Sequence, residues 1–249
     1  MKKLEFIKIK YQQYLDRKAR NLAYSLGKSK KVTSLLLDYI KELYDSAKSE
    51  SDFTSDNFET AYHSPISSDL EFLLARTLYH YANLKKLGWK IYLRKQVGKT
   101  APDIRIERDN RTLAIIEIKA KAGWIQAFFS KERFDSEMKK LRAGTGKFDP
   151  RELVKKVRGQ IDKYYETYNI ASDQIFIFLP TLKLVHRKRY SSQMKDYDSY
   201  FQKTSGLPRK NLILLSSNFL LDLSANPSRA DYKPTSRFES LISFLSKFN

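Results

Sequence analysis

The 249-residue chain contains no cysteine, which removes disulfides, thiolate nucleophiles, iron–sulfur clusters and cysteine-ligated zinc from consideration. It lacks a secretory h-region and any membrane-length apolar run, because charges interrupt every hydrophobic stretch. A cytoplasmic protein with no membrane partner is the expectation. No internal repeat or low-complexity tract is present. The three histidines, His63, His80 and His186, are scattered without metal-ligand spacing, so a structural role is expected for each. Fragments such as "GKS" at 27–29, "GKT" at 98–100 and "GTGK" at 144–147 are not phosphate loops. The Walker pattern needs a glycine five residues before its second glycine, and Leu22, Leu93 and Leu141 stand there. No nucleotide cofactor is expected.

Negative charge is also scarce: 28 acidic residues face 47 basic ones, a formal charge of +19. Self-repulsion of that size is best tolerated when a polyanion neutralises it, and the basic residues are spread along the chain rather than confined to a tail. Nucleic acid is the leading partner; a generally basic protein with solvated faces is the alternative. The length suits one large domain, or one domain with an appendage.

Residues 1–50 read as basic helices, the first ending at Gly27, and the acidic, Ser-rich stretch 46–69 reads as a linker. Ser68 or Asp69 can cap a helix whose Leu70, Leu73, Leu74, Leu78 and Tyr81 keep helical spacing up to Gly88. "WKIYLR" then reads as a strand, and "DIRIE" and "TLAIIEIKA", joined by "RDNR", as an antiparallel hairpin over 103–121. After a charged loop comes a helix capped by Asp149, with Leu153, Val157, Ile161 and Tyr164 on one face. "QIFIFLP" and "NLILLSS" have the continuous apolar character of strands covered on both faces, and "TSRFESLISFLSKF" is an amphipathic helix. This order predicts an α/β protein, a mixed sheet with helices on both faces.

Charge inside the hairpin is the unusual feature. Glu117 and Lys119 are two apart and so project to one face, with Leu113 and Ile115 before them on that face and Ile116, Ile118 and Ala120 on the other. Asp103 follows Pro102 at the start of the neighbouring strand, where the hairpin can bring its carboxylate beside Glu117. Two carboxylates so close repel, and a hard divalent cation relieves the repulsion; Mg²⁺ takes a few carboxylate oxygens plus water and substrate phosphate. The carbonyl of Ile118 is a candidate further ligand. Lys119 would then orient the attacking water or stabilise charge on the phosphorane, which makes phosphodiester hydrolysis the expected chemistry. The alternatives are an ion pair between Glu117 and Lys119 on a solvated sheet face, and a strand-initiating turn role for Asp103.

Pro102-Asp103 followed by Glu117-Ile118-Lys119 resembles the PD-(D/E)xK signature of the restriction-endonuclease-like nucleases, and residues 68–180 follow the α-β-β-β-α-β order of that core. The resemblance covers about half of the chain. It implies a basic helical extension and linker over 1–65 and a nuclease domain over 66–249. It further implies a metal-site glutamate from the first core helix, matched by Glu71, and a Gln-x-x-x-Tyr pair of the kind found in RecB-like nucleases, matched by Gln160 and Tyr164. For Glu71 the alternative is a first-turn acid favoured by the helix dipole, and for Gln160 and Tyr164 a solvated glutamine and a core-edge tyrosine.

The function so implied is a Mg²⁺-dependent DNA endonuclease, with Mn²⁺ able to substitute, most like a type II restriction enzyme acting as a homodimer on double-stranded DNA. A nuclease specific for DNA structure or ends, of the repair, recombination or phage type, is the alternative within the class. A DNA-binding module that has lost catalysis is the alternative outside it. The loop after the third strand, with Trp124 and Phe128, and the basic clusters at 17–20, 28–31, 139–147 and 186–190 are candidate DNA contacts or solvated faces.

Overall fold

In the computed structural model, residues 2–26, 28, 32–52, 65–119, 139–140, 142–145, 150–182 and 194–248 are described. Trp124, Phe128, Ala120, Asp149, His63 and His186 lie outside them.

Three helices open the chain, α1 (Lys2–Leu26), α2 (Val32–Asp52) and α3 (Pro65–Lys85). Helical residues thus occupy both ends of the expected 46–69 linker. Pro65 fits the first turn, where its missing N–H costs nothing, so α3 starts before Ser68 and Asp69, which lie inside it rather than capping it. On α3 the side chains of Leu70, Leu73, Leu74, Leu78 and Tyr81 are all buried, as their spacing predicts.

Strands β1 (Lys90–Leu93), β2 (Ile104–Arg108) and β3 (Arg111–Ile118) form an antiparallel meander. Asp109 and Asn110 both take positive φ, 51° and 61°, the two-residue turn that suits the twist of a hairpin. A helix α4 (Pro150–Tyr168) leads to β4 (Ile175–Leu179), and a helix α5 (Met194–Ser205) to β5 (Leu212–Leu214). β4 and β5 add in parallel to β3, giving the mixed sheet β1-β2-β3-β4-β5. Helix α6 (Arg237–Leu245) closes the described order.

The sheet separates two apolar clusters. On one face Ile104, Ile106, Ile116, Ile118, Phe176 and Phe178 pack with α1, α2, α3 and α6. On the other, Ile115, Ile175, Ile177 and Leu179 meet Ile161 and Tyr164 of α4 and Tyr197 and Phe201 of α5. All residues of β4 and β5 are buried, as expected for strands covered on both faces. Helices α1 and α2 are therefore part of the same core that supports α3 and the sheet.

Two features depart from the sequence reading. Helix α5 has no counterpart in it, because only Tyr197 and Phe201 mark its buried face within a polar stretch. Leu113 packs with the α3 face instead of sharing the Glu117 face. The register explains this: Ile106 pairs with Ala114 and Glu107 with Thr112, so Leu113 is an extra residue in a β-bulge, and alternation resets across it.

Candidate active site

The bulge lies upstream of the charged residues, so from Ala114 onward β3 alternates regularly. Ile115 and Glu117 face α4, and the pairing Ile104↔Ile116 puts Asp103 at the next step, opposite Glu117. The Oδ2 of Asp103 accepts a hydrogen bond from Ile118 N at 2.7 Å. On the other edge of β3, Lys119 N donates to Phe178 O at 2.9 Å. Since N–H and C=O of one strand residue leave on the same edge, the Ile118 carbonyl lies on the Asp103 edge.

Glu117 is only 4% exposed, yet it carries a full set of partners. Lys119 Nζ, 28% exposed, lies 3.1 Å from its Oε2, and the Tyr164 hydroxyl from α4 donates to its Oε1. Gln160 Nε2 in turn donates to the Tyr164 hydroxyl at 2.8 Å. Gln160 is exposed and one helical turn before the buried Tyr164, so the pair forms a relay from the surface to Glu117. The Glu117–Lys119 ion pair does form, but at the buried end of a core strand and not on a solvated sheet face.

Burial, and then the charge of Glu117, push the Asp103 carboxyl up to about 7, with Glu71 adding in the same direction. The Ile118 N–H and the Lys119 ammonium oppose this without cancelling it. Burial and two neighbouring carboxylates therefore disfavour the charged form of Asp103. Burial and the same Glu117 carboxylate raise the Tyr164 phenol, so it stays protonated and remains a donor through the neutral range.

Glu71 approaches from the first turns of α3, where Ser67 Oγ donates to its Oε1 at 3.2 Å. Its main partner is Arg94, just after β1: Nε donates to Oε2 and Nη2 to Oε1 at 2.7 Å, while Nη2 also reaches Ser68 Oγ at 3.2 Å. Arg94 N donates to Asp103 O at 3.0 Å, so one residue ties α3 to the start of β2. Arg94 takes a positive φ of 49°. The sequence reading missed Arg94, since nothing local to "YLRKQ" marks it as a partner of a helix 23 residues upstream.

All five sequence-predicted residues thus lie at one end of the sheet: Glu117 and Lys119 as an ion pair, Asp103 opposite Glu117 in the strand register, Gln160 through Tyr164, and Glu71 through its charge on Asp103 and its pairing with Arg94. Among the described residues no three His, Cys, Asp or Glu side chains converge closely enough to hold a metal ion by themselves. The third carboxylate, Glu71, is engaged by the Arg94 guanidinium. What remains for a hard cation is two carboxylates and the Ile118 carbonyl, with the unrelieved repulsion at Asp103 as the feature that fits one. His80, outside this site, has the structural role expected of it, with Nε2 2.8 Å from Asp16 Oδ1.

Removing the Tyr164 hydroxyl tests the relay. Tyr164→Phe leaves Glu117 Oε1 without its donor in a buried setting, at an expected cost of about 1–3 kcal/mol. Gln160→Ala, at an exposed position, is expected to cost under about 0.5 kcal/mol. Urea unfolding of the two variants reads the difference, and equal losses would show that Glu117 does not depend on the hydroxyl.

Among the described residues no helix is long and apolar enough to cross a membrane. In comparisons with known proteins, no family model, no curated protein and no solved structure matches the chain.

Proposed function

We propose that the protein is a Mg²⁺-dependent DNA endonuclease of the PD-(D/E)xK kind, acting as a homodimer. The observation that carries this reading is the placing of Asp103 opposite Glu117 across the β2–β3 pair, where the charge of Glu117 opposes that of Asp103, with Lys119 paired to Glu117 and partly open to solvent. The helix-strand-strand-strand-helix-strand order over Pro65–Leu179 and the net charge of +19 support it.

Asp103, Glu117 and the Ile118 carbonyl would hold the ion, which would supply Lewis acidity toward a scissile phosphate and lower the pKa of a nearby water. Around it the chain's own groups have separate tasks. Tyr164 fixes the Glu117 carboxylate through its hydroxyl, so the carboxylate need not reorient when phosphate arrives. Lys119, whose ammonium lies beside Glu117, donates to the phosphate or to the attacking water and stabilises the extra negative charge of the pentacoordinate phosphorus. Arg94 fixes Glu71 at the edge of the site through a two-pronged contact. Each chain carries one such set, so cutting both strands of a duplex at one place calls for two chains related by symmetry.

With Mg²⁺ and plasmid DNA, wild-type protein is expected to cut. Lys119→Ala is expected to lose about 10²–10³-fold in rate, by analogy with removal of one transition-state donor. Discrete, reproducible fragments would support a type II restriction enzyme. A smear, or cutting only at ends and branches, would support the structure-specific alternative, which the Gln160–Tyr164–Glu117 relay favours because it matches the RecB-like pattern. A wild type that binds DNA yet stays inert with Mg²⁺ and Mn²⁺ would leave only a DNA-binding module.

A further inference from the structure

We propose that the groove between α1 and α3 is a track for an unpaired nucleic-acid strand leading away from the candidate active site. The inference rests on the reading of the chain as a nucleic-acid enzyme and names the part of the substrate that this surface takes.

The two helices run in the same direction. Tyr11 OH donates to Asp69 Oδ2 at 2.9 Å, and Asp16 lies against Arg76 and His80 further along both helices. Between them is a groove of about 740 Å³ lined by Gln13, Arg17, Arg20, Phe72 and Arg76. On α3, Ser68, Phe72, Arg76 and Tyr79 follow one another at helical spacing on a single stripe. The first of these, Ser68, already touches Arg94 at the active site. On α1, Gln13, Arg17, Arg20 and Tyr24 make the matching stripe. The α3 stripe rises roughly 16 Å from Ser68 to Tyr79, the length of up to about five stacked nucleotides.

The chemistry of the groove alternates cations with π-faces. Three guanidiniums face one carboxylate, Asp16, which bonds Arg76 and pairs with Arg20 and so fixes an arginine on each wall. Although burial acts to raise it, hydrogen bonds from Arg76 and His80 hold Asp16 at about 2, so this arrangement persists through the neutral range. Tyr79 is 40% exposed, with the Arg76 guanidinium 4.7 Å from its ring centre, and Phe72 lines the groove floor. A duplex backbone would use only the cations. Bases freed from pairing can also stack on Phe72 and Tyr79, and a cationic groove with aromatic platforms is how single strands are held without sequence preference.

The test is fluorescence anisotropy in EDTA, so that cleavage does not intervene, with a labelled blunt duplex and the same duplex carrying a five-nucleotide tail. Wild type is expected to bind the tailed DNA at least about fivefold more tightly. Arg17→Ala/Arg20→Ala and, separately, Tyr79→Ala change exposed side chains and are expected to remove most of that preference. Lys195→Ala/Lys203→Ala, which takes the same charge from α5, is expected to keep it. Equal binding of blunt and tailed DNA by wild type, or a preference that survives both groove variants, would overturn the proposal. The two readings fail separately: groove variants that lose tail binding in a protein that never cuts remove the nuclease reading alone. A protein that cuts but shows no tail preference removes the track alone.

Discussion

Asp103→Asn is expected to abolish cleavage and, in the same protein, to raise the stability of the metal-free fold. Asparagine keeps an oxygen to accept from Ile118 N, now at 2.7 Å, but removes the charge that Glu117 and Glu71 repel. The folded-state carboxyl lies above its ordinary value, 3.8 raised to about 7. Its contribution is therefore fully favourable below about pH 4, where both folded and unfolded chains carry the proton, and is lost as pH rises toward 7. The stability gap between Asp103→Asn and wild type should open across that window and be largest above pH 7, at about 2 kcal/mol, or roughly 5 °C in Tm. Mg²⁺ should raise the Tm of wild type more than that of the variant, since only wild type retains the charge a cation would relieve. Thermal melts from pH 4 to 8, with and without Mg²⁺, decide the matter. A variant less stable than wild type at pH 8 would mean that the charge at this position is already compensated, and the argument for a cation there would fall.

Arg94→Ala is expected to destabilise the fold by removing the counter-charge of a buried carboxylate. Glu71 is 3% exposed, and without Arg94 its described hydrogen-bond partner would be Ser67 alone. Stranding a buried carboxylate costs about 3–5 kcal/mol. Because the Arg94 side chain is itself 52% exposed and water can enter where it was, about 2 kcal/mol is the expected loss. Glu71→Gln in the same background should recover most of it, because the amide no longer needs a counter-charge, and the cycle should show a coupling of more than about 1 kcal/mol. Arg94→Lys is expected to fall between, since an ammonium cannot reproduce the two-pronged contact. Additive effects in the cycle would show that the Arg94 side chain does not stabilise the fold through Glu71.

Much of this site is legible in the chain because it is local. Glu117 and Lys119 share a face by strand alternation, Gln160 and Tyr164 by one helical turn, and Asp103 meets Glu117 because a two-residue turn fixes the register of β2 on β3. The same short-range rules make α3, the hairpin and the continuous apolar runs of β4 and β5 readable. Leu113 departs from simple alternation because a bulge depends on how the partner strand is paired, which alternation within one strand does not contain.

The sequence by itself determined an α/β chain without cysteine chemistry, an excess of positive charge, and two carboxylates and a lysine set into a core hairpin. Only the tertiary structure decided that Arg94 holds Glu71, that Tyr164 closes on Glu117 across 47 residues, and that α1 lies parallel to α3 with Asp16 pinning Arg76. The physical reason is the same in each case. A helix or strand is chosen by forces between near neighbours, whereas these pairings join residues that only the packing of whole elements brings within reach, and a charged side chain carries no local sign of which distant partner will satisfy it.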